Sequence, residues 1–126
     1  HMRADLKDVM GKVLSKVENK DDREIVFTST DGSVWRMFHS QDCCESVTVD
    51  SIVGDLSDLV GSPILMAEEA TSDKNPEGVA KEWQDDSFTW TFYKFATRKG
   101  YVDIRWYGES NGWYSESVNF GLMNDR

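Results

Sequence analysis

Between Ser87 and Phe120 the chain alternates strand-forming runs with turn signals, and no other stretch restricts the fold as much. Ser87–Thr97 and Tyr101–Tyr107 flank Arg98-Lys99-Gly100, where glycine suits the left-handed position of a three-residue hairpin loop. Tyr101–Tyr107 and Trp113–Phe120 flank Gly108-Glu109-Ser110-Asn111-Gly112. The pattern predicts a C-terminal three-stranded antiparallel meander. Successive strand side chains point to opposite faces, so the alternation also sorts the residues. Phe88, Trp90, Phe92, Val102, Ile104, Trp106, Val118 and Phe120 make the expected core face. Thr89, Thr91, Tyr93, Asp103, Arg105, Tyr107, Trp113, Ser115, Ser117 and Asn119 make the opposite one. That second face reads either as a solvated surface with an Asp103–Arg105 pair or as a recognition surface, since Tyr, Trp and Arg are enriched at binding hot spots.

Upstream, Glu24–Thr30 and Ser33–His39 are rich in β-branched and aromatic residues around Asp31-Gly32, a strong hairpin signal in which both turn residues take positive φ. Leu6, Val9 and Met10 suit a short helix over about 4–10, followed by a strand over about 13–19. Glu45–Val49 reads as a strand, and Ile52, Val53, Leu56, Leu59 and Val60 recur at helical spacing before Gly61 and Pro63. Pro63–Ala70 is a further strand, and residues 71–83 form a polar loop expected to be mobile. The resulting expectation is an α+β fold: one domain over 1–126, mainly antiparallel twisted sheet with N-terminal hairpins, one short helix near 51–60 and the C-terminal meander. His1-Met2 reads as a tag scar.

With 126 residues the chain has room for one core. Fourteen Lys+Arg against 23 Asp+Glu give a net charge of −9, which argues against duplex nucleic acid as a direct ligand, because such binders carry a basic stripe. No apolar run approaches the roughly 20 residues of a membrane span. The charge is uneven, however: Lys94, Arg98, Lys99 and Arg105 stand against Asp103 alone in the stretch 94–105. The two cysteines, Cys43 and Cys44, are adjacent; a bridge between neighbours closes a tight ring, so two free thiols and a reducing cytoplasm are expected.

His39-Ser40-Gln41-Asp42-Cys43-Cys44-Glu45 is the one cluster that holds candidate chemistry. A zinc site would draw on His39, Asp42 and one cysteine but lacks a fourth ligand cluster, so no metal and no cofactor is expected. A Cys–His nucleophile would use Cys43 or Cys44 with His39, although Asp42 and Glu45 disfavour a thiolate. The third reading is a buried turn in which the cysteines pack and Ser40, Gln41 and Asp42 bond the backbone. Glycine-rich phosphate loops and serine-nucleophile motifs are missing, and Glu68-Glu69 and Asp85-Asp86, being adjacent, diverge in an extended chain.

The strings His39–Val47, Gly54-Asp55-Leu56 through Gly61-Ser62-Pro63-Ile64, Ile104–Gly108 and Ser110–Glu116 resemble a family of small uncharacterised proteins of bacteriophages and prophages, over about residues 12–120. The resemblance implies a phage-associated origin and a cytoplasmic life in the infected or lysogenic bacterium, and it carries no catalytic residues with it. Three functions follow as expectations. The first is a non-enzymatic accessory protein that binds and inhibits a host protein with a basic groove, such as a nucleic-acid-handling or anti-phage defence component. The second is a sponge for a nucleotide immune signal, an anion held by Arg98, Lys99 and Arg105 with Tyr107, Asn111, Trp113 and Tyr114. The third is a Cys/His-dependent enzyme. For ligand or partner binding, Tyr93, His39 and Asp42 join these candidates, and an exposed aromatic strand face leaves a homodimer open.

Overall fold

A computed structural model describes residues 2–81 and 83–123. The strands are β1 (Met2–Arg3), β2 (Leu14–Lys20), β3 (Glu24–Ser29), β4 (Val34–Phe38), β5 (Ser46–Val53), β6 (Met66–Ser72), β7 (Ser87–Thr97), β8 (Gly100–Ser110) and β9 (Asn119–Met123). They form two antiparallel sheets, ordered β1-β9-β4-β3-β2 and β5-β8-β7-β6. The apolar faces of the two sheets meet in one core. Ile25, Phe27, Trp35, Met37 and Phe120 come from the first sheet, and Val47, Val49, Phe95, Val102, Ile104 and Trp106 from the second. Phe27 and Phe95 meet across the layers at 5.3 Å between ring centroids, and the Trp106 indole N–H points at the Met37 sulfur 3.2 Å away. Each such fully buried apolar side chain contributes about 1.5–3 kcal/mol.

The single, mainly β domain agrees with the sequence reading, and several of its details change. The described helical residues are two short 3-10 turns, Leu6–Val9 and Leu56–Leu59. The helix expected near 51–60 is therefore corrected: Ile52 and Val53 finish β5 and pair with Ile104 and Asp103. Gly54 then turns at φ +104 with its Cα so close to β8 that an added Cβ would meet the Tyr101 carbonyl at 2.5 Å. A helix cannot run through that contact, and Asp55 instead caps a single turn through Ser57 N–H.

The three-stranded meander is also corrected. β7 and β8 do form the long hairpin, but residues 111–118 cross to the other layer, where β9 pairs with β4 and β1. The segment is pinned on the way by Glu116, whose carboxylate accepts from Thr89 and Ser110 hydroxyls. The face assignment holds for Val102, Ile104, Trp106 and Phe120. It slips by one residue in β7. Register pairs Thr91 with Trp106, Tyr93 with Ile104 and Phe95 with Val102, so these face the core, whereas Phe88, Trp90 and Phe92 lie on the outer face with Tyr107 and Arg105.

At the N-terminal hairpins the left-handed residues are Asp21 and Asp22, between β2 and β3. Around Asp31-Gly32 only Gly32 has positive φ, and the longer loop is held by Ser33 N–H on the Asp31 carboxylate. Hydrogen bonds from Lys12 and Ser33 hold the Asp31 carboxyl well below the usual carboxylate range.

Candidate functional site

Two places collect the residues singled out in the sequence. The first is the outer face of the second sheet. In register order it carries Tyr101, Phe92, Trp90, Tyr107 and Phe88 as an aromatic stripe, because alternate positions of β7 and β8 oppose one another. Trp90 and Tyr107 rings lie 4.6 Å apart, and Tyr107 stacks on Phe88 at 6.2 Å. Trp90 is fully buried although it points away from the core. The segment between β6 and β7 covers it: Asn75 accepts its indole N–H, Gln84 donates to Tyr107 Oη, and Lys81 stands 4.4 Å from the Tyr107 ring. Of the segment 71–83, expected as a mobile loop, Thr71 and Ser72 finish β6, and Asn75 and Lys81 belong to a polar strap over the aromatic stripe.

Arg105 lies 5.1 Å over Trp90, and its Nε and Nη2 both reach Asp50 Oδ2, at 3.0 and 2.7 Å. Asp50 also takes Lys81 at 3.3 Å. The partner of Arg105 is therefore Asp50 from β5, not Asp103. Burial, then the neighbouring carboxylates Glu109 and Asp85, push the Tyr107 phenol up to about 12 against the effect of Gln84. Beyond Arg105 the face opens into a groove of 480 Å³ floored by Phe92 and walled by Ser51, Lys94 and Asp103.

The other binding candidates are dispersed. Tyr93 points into the core and is removed from the outer face by its register with Ile104. Arg98 and Lys99 sit at the far end of the hairpin, where Arg98 donates to the Ser62 hydroxyl and Lys99 to the Val60 carbonyl. They brace the chain around the second 3-10 turn and do not join Arg105. Asn111, Trp113 and Tyr114 belong to the crossing segment. Asn111 caps the turn through Trp113 N–H, and the Trp113 side chain is 86% exposed.

The second place is the turn after β4. His39 and Glu45 form a buried pair, their side chains 3% and 0% exposed, with Nε2 2.7 Å from Glu45 Oε2. His39 Nδ1 lies 2.7 Å from the Ser117 carbonyl. Both ring nitrogens are therefore engaged by oxygen partners. The Glu45 carboxylate also accepts from the Asp42 and Cys43 N–H groups, while Gln41 donates to the Cys43 and Glu45 carbonyls. Burial would raise the Glu45 carboxyl, but His39 and the two backbone donors together bring it down to about 2.

This arrangement corrects two expectations. Cys43 and Cys44 are bridged to each other and are exposed, where two free thiols, or cysteines packed in a buried turn, were expected. The Glu45 carboxylate folds the backbone into a turn tight enough to bring neighbouring sulfurs together. With the bridge, the argument from free thiols to a reducing compartment falls away. His39 does not form a dyad with a thiol, since its nitrogens are engaged by Glu45 and Ser117. Among the described residues no three His, Cys, Asp or Glu side chains converge as metal ligands, and no helix is long and apolar enough to cross a membrane.

Comparison with known families bears on the whole of this core. The family model of a domain of unknown function, DUF7448, matches residues 7–120. The chain belongs to the DUF7448 family. The match runs from the first 3-10 turn into β9, so both the aromatic face and the His39–Glu45 turn lie inside the DUF7448 domain. No curated protein and no solved structure matches the chain.

The sequence reading missed Asp50, Lys81 and Gln84, which organise the outer face. Lys81 lies in the segment 71–83 read as polar loop, and Gln84 follows just after it. Apolar residues on both faces of β7 were the available signal that something covers the outer side.

Proposed function

We propose that this DUF7448 domain is a non-enzymatic, phage-associated accessory protein that binds and inhibits a host protein, of the nucleic-acid-handling or anti-phage defence class. The observation that carries this reading is the pair of uncovered indoles at one end of the second sheet. Trp83 is 71% and Trp113 86% exposed. They flank the paired residues Ser87 and Ser110, where β7 begins and β8 ends. An exposed indole is a large apolar surface that gains from burial, and tryptophan is a preferred anchor at protein interfaces. The acidic chain, −9 overall, favours a partner with a basic surface and speeds encounter with it.

The test is affinity capture from host lysate with wild type, Trp83→Ala and Trp113→Ala, after nuclease treatment. A specific host protein should be retained by wild type, released by raised salt, and bound more weakly by each variant, by about 2 kcal/mol where the indole is a hot spot. Capture of the same protein at equal strength by both variants, or of none at low salt, overturns the reading.

A nucleotide sponge is the second reading, and one observation favours it: Arg105 and Lys81 both stand over the Trp90–Tyr107 aromatic pair. Asp50 holds both cations, so a phosphate would have to displace it. Asp50→Asn should then strengthen any nucleotide response in a thermal-shift panel, and a flat panel for both proteins removes this alternative. A Cys/His enzyme has the least support, because the sulfurs are bridged and both His39 nitrogens are occupied.

A further inference from the structure

A disulfide that stabilises a fold ties together residues far apart in the chain, and the gain grows with the length of the loop it closes. The Cys43–Cys44 bridge joins neighbours, so it encloses no loop and has almost no unfolded-state entropy to remove. Both cysteines are also exposed, in the turn between β4 and β5. An exposed bridge lies open to attack by a thiolate, which is the character of labile and regulatory disulfides and not of structural ones.

The bridge does shape the backbone on which it sits. Side chains of adjacent residues in extended chain point to opposite sides, whereas the bond holds these two on one side, at a bend. Hydrogen bonds grip that bend. The Asp42 and Cys43 N–H groups donate to the Glu45 carboxylate at 2.8 and 2.9 Å, and Gln41 Nε2 donates to the Cys43 carbonyl at 3.2 Å. The same carboxylate meets His39 Nε2, and the other ring nitrogen of His39 lies against the Ser117 carbonyl. Ser40, the next residue, donates its N–H to Asn119 Oδ1 at 3.0 Å. A short hydrogen-bonded relay therefore links the bridged bend to the end of the crossing segment and the start of β9.

We propose that the Cys43–Cys44 bridge is a redox-active site that exchanges with dithiol reductants, and that opening it loosens the turn and its hold on residues 117–119. A thiolate of the dithiol attacks one cysteine sulfur, the S–S bond breaks, and the other cysteine leaves as a thiolate that takes up a proton. The donor's second thiolate then attacks the donor sulfur of the mixed disulfide and releases the first cysteine, which is protonated in turn. The protein gains two electrons and two protons, and the donor departs as a disulfide. With the sulfurs unbonded, no covalent bond keeps both side chains on one side, and the backbone is free to turn the Cys43 N–H away from Glu45. The change reaches Ser40 and Asn119 through the shared carboxylate and His39. This site is separate from the exposed indoles, so it does not rest on the host-protein reading.

The experiment is amide hydrogen exchange by NMR on the full chain, in oxidised and in reduced dithiothreitol at roughly 5 mM, with free thiols counted by a colorimetric reagent. The oxidised sample should show no free thiol and the reduced sample two, without denaturant, and reoxidation should restore the first spectrum. The amides of Ser40, Asp42 and Cys43 should exchange about fivefold faster or more in the dithiol form, the effect of one lost hydrogen bond, while those of β7 and β8 keep their rates. The double variant Cys43→Ser, Cys44→Ser should exchange like the dithiol form in both buffers. Two free thiols in the oxidised sample, or a bridge that the reductant opens only in denaturant, overturns the proposal. So does equal exchange at the three amides in both forms, which would show that the turn holds its shape without the bridge. Faster exchange at Asp42 and Cys43 that stops short of Ser40 overturns the link to Asn119.

Discussion

A carboxylate taken out of water must recover its hydrogen bonds from the protein, and Glu45 does so from three donors: His39 Nε2 and the N–H groups of Asp42 and Cys43. Its pKa falls from an ordinary 4.5 to about 2, with burial opposing and the donors prevailing. A carboxyl depressed by folding contributes stability that is complete above its unfolded value and disappears as pH falls through the folded one. Wild-type stability should therefore carry a component that declines between pH 4.5 and about 2. Glu45→Gln should be less stable than wild type at neutral pH, with the gap narrowing across that window. Urea titrations of both proteins at stepped pH measure it, and a gap independent of pH would show that Glu45 is not held as a charged group. The sequence placed His39 and Glu45 in one cluster, but it treated Glu45 as a charge that would repel a thiolate. Its role as the acceptor around which the turn folds depends on burial, which a lone sequence does not display.

Among the elements, β8 was readable because one of its faces is apolar and the other polar, whereas β7 is apolar on both. Phe88, Trp90 and Phe92 fit a core face as well as Thr91, Tyr93 and Phe95 do, and alternation alone cannot choose between them. The strap bearing Asn75, Lys81 and Gln84 resolves the ambiguity by covering the second face. Residues 111–118 were similarly ambiguous, since a hairpin and a crossing to the facing sheet ask for the same turn residues. What fixes the crossing is contact at Gly108. A Cβ there would meet the Glu116 carbonyl at 2.8 Å and Val47 Cγ2 at 3.0 Å. Gly108→Ala should lower stability by about 1–3 kcal/mol through overpacking, read as a lower urea midpoint with unchanged slope. A neutral effect would mean that the crossing segment is free to shift away from β8.

At the scale of the whole molecule the single domain and the predominance of antiparallel sheet were legible, because both follow from length and from strand-turn alternation. The partition into two layers was not, since it depends on where β9 pairs. Net charge acts at this scale too. A chain of −9 repels itself, and among the described residues the ion pairs, such as Arg36–Glu24 at 2.6 Å and Arg105–Asp50 at 2.7 Å, engage only a minority of the acids. The Debye length shortens from about 30 Å at 0.01 M salt to about 10 Å at 0.1 M, so added sodium chloride should raise Tm by a few degrees. A calorimetric series in salt checks this, and a falling Tm would mean that attractive pairs outweigh the general repulsion.

The pairing of β1 with β9 sets Met2 beside Leu122, so the first and last strands are hydrogen-bonded neighbours. The described fold is thus close to circular: a short linker across that edge would join strands that already touch. A permuted chain opened within residues 73–80, between β6 and the strap residues Lys81 and Gln84, would keep all the strand pairs described here. Such a chain would carry its new ends beside the aromatic stripe and leave the β1–β9 seam closed, so that the outer face could be labelled, tethered or blocked without touching that seam.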